Sequence, residues 1–500
     1  MKKQKKERKK ESQRPTRYFS SLKKYFSRLE CQVNEFYSIP MIHLANIDIL
    51  IIIAYFMGVI GIGIFTSRYA KNMESFLLMG RKLTLPLFVG TLVSTWYGGI
   101  IGVGEISYSS GLYNWLTQGI FWYLSYLVFA LFLAARLQKS KAFTLPDQLD
   151  FFYGKTARKI GLVFNFFNVV PIAYVISLGV MIQAIFHLPL PISIIIGGLF
   201  SMTYTLLGGF AADVYTDFIQ FVVMCIGVSL LIFFSFFKLG GWEYLTTHVP
   251  PSHLTLSGGM PFSEILIWGF IAMTTLVDPN FYQRCYAAEK PEVAKKGILL
   301  SIMFWMLFDI CTTFAGIYAR ARFSDIDPKF AYLHLADEVL PPVFKGIYIA
   351  AMLATIMSTV DSYFFVAATT ISRDLYQKVF RPNASEKQIV WITRCANVFT
   401  GLLTIVMALG LYQSIKTIWK LFGSISGAGL LVPLMIGFWY SGPKKHSAGV
   451  AAMVFGLLTA AFFYTGNKFF HIPWCSAIEP LYPGMAASFL AFCLFNRGAK

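Results

Sequence analysis

Thirteen apolar stretches divide this chain, at roughly 45–67, 84–106, 117–136, 158–186, 189–207, 213–237, 264–282, 297–319, 343–372, 389–411, 415–440, 447–466 and 478–495. Most reach the length of about 20 residues that a helix needs to cross a bilayer. In hydrocarbon every backbone N–H and C=O must find its partner within the protein, which leaves helices or a closed barrel. Barrel strands alternate apolar and polar residues over about ten positions. These stretches do not alternate. The sequence therefore predicts an all-α polytopic membrane protein of about 13 transmembrane helices.

Of the 500 residues 56% are hydrophobic and 14% charged, too few charges for a soluble domain of this size. Residues 1–42 read as a basic tail and 43–497 as one membrane-embedded unit. Seven cysteines (31, 225, 285, 311, 395, 475 and 493) are scattered without a CxxC or a Cys/His cluster, so neither a disulfide framework nor a zinc site is expected. The net charge of +18 does not point to nucleic acid, because the Lys and Arg lie in the tail and in short loops.

With residue 1 outside, inner loops hold 23 Lys and Arg, Arg284 among them, and outer loops hold 8. That bias favours an outside N-terminus and an inside C-terminus. The tail argues the other way. Residues 1–30 carry twelve Lys and Arg, and no apolar core makes them a signal peptide. A start further downstream, a translocated tail, or a first span that is not a simple crossing would each reconcile the two.

Two spans carry breaks. The second runs through Gly98, Gly99, Gly102 and Gly104 beside Ser94 and Thr95. Each glycine weakens a helix by up to about 1 kcal/mol relative to Ala, and an unwound segment at membrane depth has to line a cavity. The bland alternative is close helix packing through small residues. The seventh is interrupted by Thr274, Thr275, Asp278 and Pro279. Pro279 removes a helical hydrogen bond, and an acid near lipid is costly. Broken helices at corresponding places in two halves point to an inverted-repeat secondary transporter with its site between them.

The ninth span adds oxygen ligands. Thr355, Ser358 and Thr359 stand at i, i+3 and i+4, on one helical face. Hydroxyls and freed carbonyls are hard donors, and a single positive charge needs no carboxylate. Alone, such residues more often bond back to the preceding turn.

With these patches in view the chain resembles the sodium:solute symporter family. The likeness is carried by Gly80-Arg81-Lys82 with Ser94 to Gly99, by Tyr204 to Gly209 with Tyr215 to Gln220, by Pro279, Gln283-Arg284 and Ala287-Ala288, and by Ala354 to Ser362 with Asp374-Leu375-Tyr376. It covers roughly residues 45–440, and the Ser-Thr-Trp-Tyr-Gly-Gly run is most similar to choline- and proline-type members. The resemblance implies a five-plus-five inverted repeat, with core repeats at about 82–237 and 264–440 and broken helices 2 and 7. It implies a sodium site built from the carbonyls of Val93, Trp96 and Thr355 and the hydroxyls of Ser358 and Thr359, with Asp217 on the inward ion path. Three positions depart from the family pattern: Thr95 stands where some members carry Asp or Asn, Asp213 where an apolar residue is usual, and Asp278 where choline-type members have an aromatic ring.

The function implied is sodium-coupled import of a small organic solute, an amino acid or a choline- or betaine-like compound, by alternating access. In such a fold the solute sits beside the broken parts of spans 2 and 7 under span 3, which nominates Trp96, Tyr97 and Gln118 with Thr274, Thr275 and Asp278. A buried Asp278 that meets a cationic group favours a zwitterionic or cationic solute. The expected partners are solute, sodium and the lipid of the cell membrane, with no nucleic acid, no organic cofactor and a functional monomer. Proton coupling through Asp213, Asp217 or Asp278 is the competing transport reading. A polytopic enzyme or sensor is the competing class, and the dispersed histidines and absence of an acidic cluster at one interface argue against an enzyme.

Overall fold

A computed structural model describes residues 42–66, 72–411, 421, 423–424, 426–468, 470, 472, 475 and 478–499. The basic tail, apart from residue 42, lies outside the described residues. So do residues 412–420, Lys416 and Lys420 among them.

The chain is helical. In order, the helices of the spans are α1 Asn46–Thr66, α2 Leu85–Trp96, α3 Ile100–Ser110, α4 Trp115–Ser140, α5 Leu145–Asn168, α6 Ile172–Phe186, α7 Leu190–Leu239, α8 Phe262–Ala272, α9 Pro279–Ala287, α10 Pro291–Arg322, α11 Phe344–Thr369, α12 Glu386–Leu411, α13 Gly427–Trp439, α14 His446–Lys468 and α15 Leu481–Phe495, with short connecting helices at Met73–Leu78, Trp242–His248 and Ala331–Val339. Up to ten of these units are long and apolar enough to cross a membrane, counting α2 with α3 as one bent span and α5 with α6 as another. Three shorter apolar helices, Leu190–Thr203, α13 and α15, account for the rest of the thirteen apolar stretches. The sequence begins the fourth span near residue 158; α5 starts at Leu145, but Gly154, at φ +79° and ψ −177°, divides it, and the span's own helix begins just beyond that glycine.

Spans 5 and 6 lie in α7, divided where Gly209 adopts φ +63° and ψ −160°. A side chain there would meet the Phe76 ring at 2.6 Å, so both the backbone and the packing call for glycine.

Span 2 breaks as the glycines predict. α2 ends at Trp96, α3 restarts at Ile100, and their axes differ by 60°. Span 7 breaks through a 3₁₀ turn, Met273–Val277, into Asp278 in extended conformation. The Asp278 Oδ1 then accepts the Asn280 and Phe281 N–H groups at 2.8 and 3.3 Å, capping α9 with Pro279 at its first position.

The segments flanking the two broken spans are tied together. Leu83 N–H donates to Ala287 C=O at 3.0 Å, and Glu289 N–H donates to Leu83 C=O at 3.1 Å. Arg81 adds bonds to the carbonyls of Lys141, Ala142 and Tyr286. The membrane-length window of span 9 is wholly buried, so α11 runs through the centre of the molecule.

Candidate functional site

The oxygen-bearing face of α11 meets the last turn of α2. Ser358 Oγ donates to Ser94 C=O at 2.9 Å and to Thr355 C=O at 3.1 Å. Thr359 Oγ1 reaches the same two carbonyls at 3.5 and 3.3 Å. Two hydroxyls and two carbonyls thus share one buried spot beside the break, a neutral hard-oxygen set that suits a monovalent cation. The approach is close because Gly98 has no side chain: a Cβ there would run into Thr359. Of the carbonyls nominated from the sequence, Thr355 is in this cluster, whereas Val93 C=O receives Trp305 Nε1 at 3.4 Å. Ser94 is the carbonyl that spacing alone does not nominate. The Thr355 hydroxyl bonds back to Ala351 C=O at 2.7 Å, so only its backbone oxygen faces the cluster.

Next to the break lies a cavity of about 160 Å³. Trp96, Tyr97, Gln118, Thr274 and Asp278 all line it, drawn together from spans 2, 3 and 7. Thr275 does not. Side chains in a 3₁₀ turn step by a third of a circle, so Thr274 facing the cavity turns Thr275 away. Thr274 Oγ1 itself bonds back to Ile271 C=O at 2.6 Å. Span 3 contributes Gln118, Trp122 and Tyr126 at i, i+4 and i+8, its stripe facing the cavity. Span 8 contributes Trp305 and Asp309, one turn apart, and the break between α5 and α6 contributes Asn168 and Tyr174. Rings dominate the wall. Trp96 packs edge-on against Trp122 and Tyr126 at 5.5 and 6.0 Å, and Tyr126 lies 4.2 Å from Trp305.

Asp278 is held by its cap bonds and by Tyr363 OH at 3.3 Å. Asp309 accepts a hydroxyl on each oxygen, from Tyr97 and Tyr123. The lone acid in the apolar run of span 8 is the signal that would have found it from the sequence.

A second polar group lies nearby, where α7 and α9 meet α2 and Ser362 of α11. Asp217 Oδ2 accepts Thr91 Oγ1 at 2.5 Å and Thr95 Oγ1 at 3.1 Å, and faces Arg284 Nη2 at 3.4 Å. Arg284 also donates to Thr95 and Ser362 at 2.7 Å each, and Asp213 lies 3.6 Å from it. Ser362 donates to Asp213 at 2.8 Å. The charge count that places Arg284 in an inner loop is corrected here: Arg284 is fully buried, one turn beyond Asn280 in α9, with its charge matched by two acids of span 6. Asp213, which stands where the family pattern has an apolar residue, is a buried member of the same network.

The family model for the sodium:solute symporter family matches residues 76–453. The chain belongs to the sodium:solute symporter family. Among curated relatives, the high-affinity proline transporter PutP of Bacillus subtilis is 26% identical over 469 residues, 86% of this chain and 93% of the relative. The high-affinity choline transporter 1 of Drosophila melanogaster is 28% identical over 437 residues, 81% of this chain and 68% of the relative. A substrate-bound, outward-open Na⁺-coupled sialic acid symporter superposes with a TM-score of 0.76 at 17% identity, covering 91% of this chain and 99% of that one. This sodium:solute symporter therefore has the inverted-repeat, alternating-access fold anticipated from its two broken spans. It is a multi-pass membrane transporter, not an enzyme, and sodium is the coupling ion its family uses.

Proposed function

We propose that this symporter imports a small organic solute across the cell membrane with sodium bound by the Ser94 and Thr355 carbonyls and the Ser358 and Thr359 hydroxyls, aided by the Val93 and Trp96 carbonyls when span 2 adjusts around the ion. The observation that carries this reading is the convergence of the Ser94 and Thr355 carbonyls and the Ser358 and Thr359 hydroxyls at the break of span 2, beside a ring-lined cavity. Sodium would order the break, and the break forms part of the solute wall through Trp96 and Tyr97. Ion and solute would then stabilise the same arrangement, which is the thermodynamic requirement for coupling.

Trp96, Tyr97, Gln118, Thr274 and Asp278 would contact the solute. Asp217, linked to Arg284, would lie on the ion's inward route. The repeats would be 82–237 and 264–440, following a tail of residues 1–42. The chain would need no organic cofactor and would work as a monomer. An amino acid or a choline- or betaine-like compound fits a cavity of this size, in keeping with the proline and choline transporters among its relatives.

The test is uptake into proteoliposomes of purified protein. Solute should accumulate under an inward sodium gradient and fail to do so when potassium replaces sodium. Equal accumulation under a proton gradient alone would sink the sodium reading.

A further inference from the structure

Asp309 has no part in the sodium site or in any cap. It sits in the middle of α10, 3% exposed, on the cavity wall. Both its oxygens accept tyrosine hydroxyls, Tyr97 from the break of span 2 and Tyr123 from span 3. Neither donor carries charge. Asp278, the other acid on the wall, differs: its Oδ1 sits on the N–H groups that open α9, where the helix supplies partial positive charge. Among the described residues no Lys, Arg or His lines the cavity. A carboxylate at membrane depth without a positive counterpart is expensive. A cationic group on the solute would supply the charge that balances Asp309.

The remaining wall restricts the rest of that solute. Trp96, Trp122, Tyr126 and Trp305 form a tight ring cluster, and aromatic faces attract alkylated ammonium groups. Gln118 Nε2 is buried on the same wall with no hydrogen-bond partner among the described residues, a donor in need of an acceptor. A solute carboxylate could accept from it, but would bring a third negative charge towards Asp278 and Asp309. A hydroxyl accepts without that repulsion.

We propose that Asp309 is the anionic anchor of the solute site, and that the solute is a small alkylammonium cation with a neutral hydrogen-bond acceptor and no free carboxylate. The proposal rests on the sodium-symport reading and narrows its solute: amino acids and betaines are excluded, although proline transporters are among the relatives.

The test uses purified full-length protein in detergent with saturating sodium, read by tryptophan fluorescence. The probes are choline, tetramethylammonium, dimethylbutanol (the uncharged carbon isostere of choline), glycine betaine and proline. Choline should bind at least about tenfold more tightly than dimethylbutanol, betaine or proline. Asp309→Asn, nearly isosteric, should cut the preference of choline over dimethylbutanol by about tenfold. A purely structural Asp309 would shift both isosteres alike. Betaine or proline binding as tightly as choline in the natural protein overturns the proposal. So does binding of neither cation, and so does an unchanged isostere ratio in the variant. A sodium titration without solute separates the two levels. No sodium response removes the symport reading itself, whereas a sodium response without charge preference removes only the anchor.

Discussion

The Ser358 hydroxyl lies 2.9 Å from the Ser94 carbonyl, joining the centre of span 9 to the turn at which span 2 comes apart. That single contact links the two structural halves of the symporter at the point where an ion would sit. Its donor and acceptor are both neutral, so a sodium ion entering there would replace a modest hydrogen bond with stronger ion–oxygen contacts.

Replacing Ser358 and Thr359 together by Ala should raise the sodium concentration for half-maximal uptake by about tenfold or more, since each bond from a polar group to a charge is worth about 1.5–3 kcal/mol. Uptake as a function of sodium in proteoliposomes measures it. An unchanged half-saturation point would remove both residues from the ion site.

Gly98→Ala tests the same contact from the span 2 side. The added methyl would collide with Thr359, whereas Gly58 on span 1 has open space around it. The expected result is weakened sodium dependence for Gly98→Ala and no change for Gly58→Ala. Equal behaviour of the two would mean that the break tolerates a side chain and is not closely held against α11.

Among the described residues, Arg284 is the positive partner of both Asp213 and Asp217 in the interior. Arg284→Gln should lower stability by about 3–5 kcal/mol, because it leaves buried carboxylates uncompensated. The combination with Asp213→Asn and Asp217→Asn should recover part of the loss, read from the thermal midpoint in detergent. A triple variant no more stable than Arg284→Gln would show that the network's hydrogen bonds, not its charges, hold the bundle.

Much of this was legible in the sequence. Glycine clusters and Pro279 mark the breaks because their backbone effects are local, and Thr355, Ser358 and Thr359 reveal a shared face through helical spacing alone. Membership of one cavity is different, because it depends on which distant spans meet. Trp305 and Tyr174 look like any apolar-run aromatics until α10 and α6 are packed. Asp309 did carry a signal, as an isolated acid in a membrane-length run. Asp278 carried the same signal but has a local explanation as a cap, and the sequence could not rank the two. Arg284 reads as a loop charge because its partners lie some 70 residues away in span 6.

Sidedness can be settled by cysteine labelling. The loop charges put the segment after span 6 outside and the segment between spans 11 and 12 inside, and burying Arg284 leaves that bias large. Glu243 and Ser441 are exposed positions in those two segments. Native Cys395 and Cys493 are also exposed and, together with Cys31 of the tail, must be replaced first. In intact cells a membrane-impermeant maleimide should label Glu243→Cys but not Ser441→Cys, and permeabilisation should make the second reactive. Thirteen crossings require the two segments to face opposite sides, since five spans separate them. Labelling of both from outside would mean that one apolar helix between them does not cross, with the short α13 the first suspect. Labelling of Ser441→Cys alone would keep the thirteen spans and invert the molecule, as the basic tail by itself would demand.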